Sequence, residues 1–478
     1  MSALVTPRPL RARIPYRPAL IGGGVLLLEL VVALGIPDPR FSKLLLLVLA
    51  AGALALVFCF PFAATCGLLA VVGSINLPEI GLPLGPIDAR PHELLLGALL
   101  LVALVRPARP TLGGWAGTAL IAFLGLLLLT TILAIADGAV TVSGALPWIR
   151  PFFLYTLVIV IVRLFPDRRS LRRLLAFAAA MAAFSGLVAG LMSVGSGAGA
   201  ALNFSEGLIT QTGSDGAQRV RLPGVGLAYA LFWLVTIQIL NTRGRERTLW
   251  SLALAGIALN IAVSQNRNMW VGLLIGCLLM LTLGGPQIRH RAVIAACVLV
   301  AGVAVMLTIG FRVDEDSRFA PILERGTTLF DPAAVGQERS LTHRAEENQL
   351  AWDAVRENPL LGIGAGTNFG QTFGEARPDG TTQRANQNFL HNQYLYLLMI
   401  GGVPLLAAFL VFLAAVLGPV VRRADHTVVV PCAVGLVMIM VSAVVMLSFS
   451  SLEMVGAIAL LAGVLVAWQR GEAPVPRH

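Results

Sequence analysis

Apolar stretches close to the length of a bilayer crossing recur along almost the whole sequence, and they limit what this chain can fold into. They lie near 20–36, 42–58, 61–77, 93–105, 114–136, 147–165, 171–193, 223–240, 248–264, 268–284, 292–311, 390–418, 428–448 and 450–468. About 20 apolar residues in helical form cross a hydrocarbon core, and the closed hydrogen bonding of a helix is what lets a backbone sit there. Only 13% of the residues are charged, against about 25% in an average soluble domain. Cytosolic globular, disordered and collagenous classes are excluded. The expected fold is an all-α polytopic membrane protein with 12–14 transmembrane helices, an even number. The first stretch follows Arg8, Arg11, Arg13 and Arg17 but has no A-x-A pattern after it, so it reads as a retained helix rather than a signal peptide.

Charge gives the orientation. The formal net charge is +10, yet the bases sit in short runs between apolar stretches, which is the footprint of membrane orientation and not of nucleic-acid binding. Lys43 is the only lysine; the other bases are arginine. With the N-terminus inside, the inward connections hold Arg106/Arg109, Arg163–Arg173, Arg243/Arg245/Arg247, Arg289/Arg291 and Arg422/Arg423, with Arg470 and Arg477 in the tail. Together with the N-terminal four these make 20 of the 35 basic residues, against the acids Asp167, Glu246, Asp425 and Glu472. Both termini are therefore expected in the cytoplasm, and two long connections, 194–222 and 312–389, on the outside.

Three segments are expected: a helix bundle over 1–311, a water-exposed loop domain over 312–389, and C-terminal transmembrane helices over 390–478. Within the loop, His343 to Glu357 has neither Gly nor Pro and reads as a helix whose apolar face is Leu350, Ala351, Ala354 and Val355. Asn358-Pro359 ends it, because proline disfavours helical geometry in the residue before it. The paired acids Glu346 and Glu347 read as a solvated face of that helix, with assistance to proton transfer by one of them as the alternative.

Ionisable groups near membrane depth are costly and are commonly paired or functional. On the outer side these are Arg150 in Leu146-Pro147-Trp148-Ile149-Arg150, Arg219 and Arg221 before Leu222-Pro223-Gly224, Arg267 in Ser264-Gln265-Asn266-Arg267-Asn268, Arg344, His391 and Glu453. An arginine at a helix end commonly snorkels to the headgroups, and a carboxylate at the depth of Glu453 is expected to pair with an arginine. The Arg267 turn holds no acid, however, and a guanidinium fork matches phosphate oxygens bidentately. A cluster of such arginines suits a diphosphate at the membrane surface. Gly362-Ile363-Gly364-Ala365-Gly366 is not a P-loop, lacking the Lys-Ser/Thr that would follow; it reads as a backbone turn, with a donor nest for a phosphate or sugar oxygen as the alternative. No HExxH or CxxC occurs and the histidines are scattered, so neither a metal site nor a cofactor is expected. The five cysteines all lie in apolar stretches and suggest no disulfide framework.

Several of these pieces together resemble the O-antigen ligase and polysaccharide polymerase superfamily. The resemblance rests on Arg344…Trp352…Val355…Asn358-Pro359-Leu360-Leu361-Gly362-Ile363-Gly364, then His391-Asn392-Gln393-Tyr394-Leu395 and Gly401-Gly402. Arg221-Leu222-Pro223-Gly224 and Ser264-Gln265-Asn266-Arg267 are similar to upstream family motifs, although a second serine is common where this chain has Gln-Asn. Met399-Ile400 stand where relatives frequently carry an acid, so no role for an acid is carried over there.

The resemblance implies a GT-C-like membrane glycosyltransferase in the bacterial inner membrane. Its donor would be an undecaprenyl-diphosphate-linked glycan, and its acceptor, at the periplasmic face, lipid A-core for a ligase or another lipid-linked glycan for a polymerase. Membrane lipids surround it and nucleic acid plays no part. His391 would be the general base, since an imidazole with its ordinary pKa near 6.5 accepts a proton near neutral pH. Arg221, Arg267, Arg344 and, less securely placed, Arg150 would hold the diphosphate without a metal. Asn388, Asn392 and Tyr394 would support the histidine, with Glu453 nearby. Ligase and polymerase share the same motifs, and a transporter or flippase of an anionic lipid-linked substrate is the alternative from another class.

Overall fold

The computed structural model describes residues 54–73, 82–84, 87–106, 114–194, 209–212, 218–221, 224–264, 266–297, 339–376, 382–423 and 427–470. The first apolar stretch, loop residues 312–338 and the C-terminal tail lie outside them. The chain forms two units, 1–61 and 62–478; in the first, 54–59 is helical, and the second holds the helix bundle.

Its helices are α1 (Pro61–Gly73), α2 (Pro91–Val105), α3 (Trp115–Ala136), α4 (Val142–Phe153), α5 (Leu157–Leu164) and α6 (Arg168–Val194). There follow α7 (Gly224–Asn241), α8 (Gly244–Val263), α9 (Arg267–Leu283), α10 (Arg339–Glu357), α11 (Gln393–Leu417), α12 (Val429–Ser442) and α13 (Leu452–Arg470). One 3-10 turn, Leu154–Thr156, makes α4 and α5 a single span, and 286–297 is also helical. Among the described residues six helices are long and apolar enough to cross a membrane, and four more are apolar but shorter. The protein is an all-α, multi-pass membrane protein. Among the described residues strands occur only as three two-stranded antiparallel ribbons in connections: β1 (Leu82–Leu84) with β2 (Ile87–Ala89), β3 (Ile209–Thr212) with β4 (Gln218–Arg221), and β5 (Gln371–Ala376) with β6 (Thr382–Asn386).

The helices follow the apolar stretches closely, with one informative exception. The stretch 428–448 does not continue as a helix: α12 stops at Ser442 and 443–451 is a run of turns. Those turns lead into the first residues of α13, and they help to build the site described below.

Packing between helices uses small residues, as expected where lipid offers no hydrophobic driving force and close van der Waals contact must hold the bundle. A side chain at Gly256 on α8 would collide with the backbone of Ala183 on α6, and one at Gly435 on α12 with the carbonyl of Ala230 on α7. Helix α13 is buried almost throughout, from Met454 to Trp468. An aromatic cluster joins α3, the α4–α5 span, α11 and the 443–451 turns: Phe123 meets Phe152, Tyr155 and Phe409, and Phe409 meets Phe449 at 4.6 Å. Each such pair contributes about 0.5–1.5 kcal/mol beyond its buried area. Outward-facing leucines and isoleucines such as Ile121, Ile132, Leu187, Leu274 and Leu278 are exposed and form the lipid face.

The two ends of the bundle differ chemically. At one end Arg163 donates to the Arg106 carbonyl (3.4 Å), and Arg168 and Arg172 lie over the Trp468 ring at 5.5 and 5.6 Å. These are the arginine-rich connections. The other end carries the 137–141 turn, Ser264 at the end of α8, Asn266 before α9, the start of α11 and the 443–451 turns.

Candidate active site

The centre of that second end is a buried carboxylate. Along α10, residues four apart fall on one face: His343, Glu347, Ala351 and Val355. Ala351 and Val355 are buried against the bundle, and Glu347, one turn earlier on the same stripe, is 0% exposed. The expectation that Glu346 and Glu347 form a solvated face is therefore corrected for Glu347. A buried charge is tolerated when it is paired and hydrogen-bonded, and Glu347 has two imidazoles. Its Oε2 lies 2.8 Å from Nδ1 of His391 and its Oε1 lies 3.3 Å from Nε2 of His343. Both histidines remain partly exposed, at 29% and 35%.

Two backbone arrangements put His391 opposite Glu347. First, α11 is broken. Gly402 has φ +67 and Pro404 has no N–H, so the carbonyls of Met399 and Ile400 lose their partners within the helix. The segment after α10 replaces them: Ile363 N–H donates to Met399 O (2.8 Å), Gly364 N–H to Ile400 O (3.0 Å), and Val403 N–H donates back to Pro359 O (3.0 Å). A Cβ at Gly402 would strike the Leu360 carbonyl, and one at Gly362 the Met399 carbonyl. The Asn358–Gly364 sequence is thus a backbone splice between α10 and α11. Its amides at 363 and 364 are engaged in that splice, in keeping with a structural turn.

Second, the start of α11 is fixed from its other side. Asn392 caps the helix, its side chain accepting from Leu395 N–H (3.2 Å). Gln393 donates through its backbone to Ala443 O (2.8 Å) and through its side chain to Leu390 O (2.6 Å), and accepts from Ser450 (2.7 Å). The Tyr394 hydroxyl donates to the Met440 carbonyl (2.8 Å). Asn392 and Tyr394 therefore hold the helix start, while the carboxylate of Glu347 meets the His391 ring. Asn388 Oδ1 is buried and, among the described residues, has no hydrogen-bond partner.

Other elements reach the same end of the bundle. The α9 turn is joined to the 443–451 turns, because Asn266 Nδ2 lies 3.5 Å from Met446 Sδ, and Arg267, half-buried, is the first residue of α9. Arg344 is half-buried and sits on α10 three residues before Glu347. From α4, Trp148 stacks on Phe389 (6.0 Å, 14°), and Phe389 meets the His391 ring edge-on at 5.7 Å. The backbone of Arg221 ends β4, opposite Ile209. Glu453 is in the first turn of α13, where a carboxylate complements the helix dipole, and its backbone packs on Gly226 of α7. Arg150 is placed differently from the rest: its Nε lies 3.2 Å from Glu93 on α2 and its side chain is 11% exposed. An arginine held by a carboxylate in this way is a structural pair first.

Sequence reasoning missed Glu347 as a partner of His391, and missed His343 altogether. The available signal was the spacing of four from Glu347 to Ala351 to Val355, which puts the acid on the buried stripe.

Residues 251–410 match the family model described as O-antigen ligase. No curated protein matches the chain. The matched stretch runs from α8 into α11 and contains Arg267, Arg344, Glu347, the backbone splice and His391. Through that stretch, about a third of its length, the chain is similar to the O-antigen ligase family.

Proposed function

We propose that this protein is a membrane glycosyltransferase that moves a glycan from an undecaprenyl-diphosphate donor to a hydroxyl of lipid A-core, at the periplasmic face of the bacterial inner membrane. The observation that carries the reading is the buried Glu347 carboxylate 2.8 Å from Nδ1 of His391. A carboxylate there accepts the Nδ1–H and selects the tautomer whose Nε2 is a free base.

The acceptor hydroxyl gives its proton to Nε2 of His391 while its oxygen forms the bond to the anomeric carbon. The bond from that carbon to the phosphate oxygen breaks, and its electron pair leaves with the diphosphate. In this reading Arg221, Arg267 and Arg344 take up that charge, because a guanidinium fork matches phosphate oxygens and cations stabilise negative charge as it develops. The proton on His391 then passes to water. No step in this scheme calls for a metal ion. The periplasmic placement is supported by the arginine-rich connections at the opposite end of the bundle, the end expected in the cytoplasm.

The test is transfer by the purified protein, given undecaprenyl-diphosphate glycan and lipid A-core. Glycan appearing on lipid A-core supports the reading. Elongation of a lipid-linked glycan instead would assign a polymerase, and no transfer to either acceptor would overturn glycosyl transfer.

A further inference from the structure

Glu347 has a second imidazole neighbour, and the transfer scheme leaves it without a task. His343 lies one helical turn before Glu347 on the same face of α10. Its Nε2 is 3.3 Å from Oε1, the carboxylate oxygen that His391 does not use. Glu347 is 0% exposed, so bulk water does not reach that oxygen. No hydrogen bond reaches Oε1 among the described residues; the contact with His343 is one of charge and dipole at ion-pair distance. The His343 ring is 35% exposed, but its Nδ1 is buried and has no hydrogen-bond partner among the described residues. A hydrogen on Nδ1 would therefore meet no acceptor there, whereas a hydrogen on Nε2 lies beside a carboxylate.

The order of the two residues argues against a role in helix stability alone. Between residues four apart, an acid placed before a base suits the helix dipole better than the reverse. Here the base comes first. The carboxylate has the greater need of the contact. A buried carboxylate with too few partners escapes the cost of its charge by taking up a proton. A protonated Glu347 would donate its O–H to Nδ1 of His391. The ring hydrogen of His391 would then sit on Nε2, and Nε2 could no longer accept one. The charge on Glu347 thus decides which nitrogen of His391 is the base.

We infer that His343 is a positioning residue for the transfer: its Nε2–H beside Oε1 keeps Glu347 ionised, with Oε2 turned to His391. It acts through Glu347 and His391. The inference rests on the proposed glycosyl transfer and adds a third member to its acid–base line.

Two substitutions separate this role from packing. His343→Leu removes the N–H, keeps enough bulk to exclude water and suits a helix. His343→Gln places an amide N–H at about the reach of Nε2. The tautomer of His391 is read by nitrogen NMR on the full chain labelled at histidine, at a pH where the ring is neutral; its signals are those missing from His391→Ala. Wild type and His343→Gln are expected to carry the ring hydrogen on Nδ1, and His343→Leu on Nε2. With undecaprenyl-diphosphate glycan and lipid A-core, kcat of His343→Leu should fall by about tenfold or more, up to the roughly 10⁴ of a wrong tautomer. KM should stay nearly constant, and His343→Gln should recover most of the rate. An unchanged His391 tautomer in folded His343→Leu, an equal loss of kcat in both variants, or a wild type with its hydrogen on Nε2 would overturn the inference. His343→Met, as apolar and as favourable in a helix, takes the place of His343→Leu if that variant does not fold. Because the tautomer is read without turnover, a wild type that transfers no glycan counts against the proposed function alone.

Discussion

Glu347 and His391, 44 residues apart in the chain, meet at 2.8 Å with the carboxylate wholly buried. One comes from a helix in the loop between spans and the other from the start of α11, so the pair exists only when the α10–α11 splice is formed. That relationship ties the fold of the connection to the chemistry proposed for it.

Glu347→Gln should leave donor affinity close to wild type and lower kcat sharply. The amide keeps the volume but no longer dictates which ring nitrogen carries the hydrogen; the corresponding change in a Ser-His-Asp triad costs about 10⁴. Steady-state kinetics on folded protein would show it as a fall in kcat at nearly constant KM. A rise in KM with kcat preserved would place Glu347 in substrate binding instead.

The arginines should behave in the opposite way. Arg267→Ala is expected to weaken donor use more than Arg267→Lys, since lysine keeps the charge and loses the bidentate fork. The same order is expected at Arg344. Arg150→Ala should chiefly lower thermal stability, because it leaves the half-buried Glu93 without its 3.2 Å partner. If Arg267→Ala left turnover with the lipid-linked donor unchanged, the diphosphate would have to be held by other groups.

Gly402→Ala tests the splice. A non-glycine residue at φ +67, ψ −172 is strained by about 1–3 kcal/mol, and its Cβ would also strike the Leu360 carbonyl. The variant should unfold at a lower temperature and lose activity in proportion to the displaced α10. Wild-type stability and turnover would show that the broken helix is not needed.

Much of the fold could be read directly from the sequence, and the reason is the bilayer. A stretch such as Trp115–Ala136 has no other environment open to it, so its length and apolarity fix its state. His391 and Arg344 stood out because a charge in such surroundings is conspicuous. What could not be read depends on register and on long-range pairing. Glu347 and Glu346 differ only in which face of α10 they occupy. The partner of Arg150 is Glu93, 57 positions earlier on another helix. The end of α12 at Ser442 was hidden because 443–448 is as apolar as a span, and its turns show in the contacts that Ala443 and Ser450 make with Gln393.

Orientation can be checked with single cysteines in a cysteine-free background. Ala139→Cys, exposed in the turn after α3, should react with an impermeant maleimide added outside the inner membrane, and Arg245→Cys, exposed at the opposite end, should not. Labelling of Arg245→Cys with protection of Ala139→Cys would reverse the topology and move the site to the cytoplasm.

Metal removal is a further check. Transfer should survive EDTA, because arginine guanidinium groups meet the charge on the diphosphate. Loss of transfer that magnesium or manganese restores would show that a cation is required, and Glu347 and Glu453 would be the first acids to test.

The most direct measurement is made on His391→Ala, with donor binding and turnover determined on one folded sample. The expected result is normal thermal stability and donor affinity with transfer reduced by about 10²–10⁴, the range for a positioned acid–base group. Near-normal turnover in well-folded His391→Ala would contradict the account, removing the histidine and the buried carboxylate behind it from the mechanism.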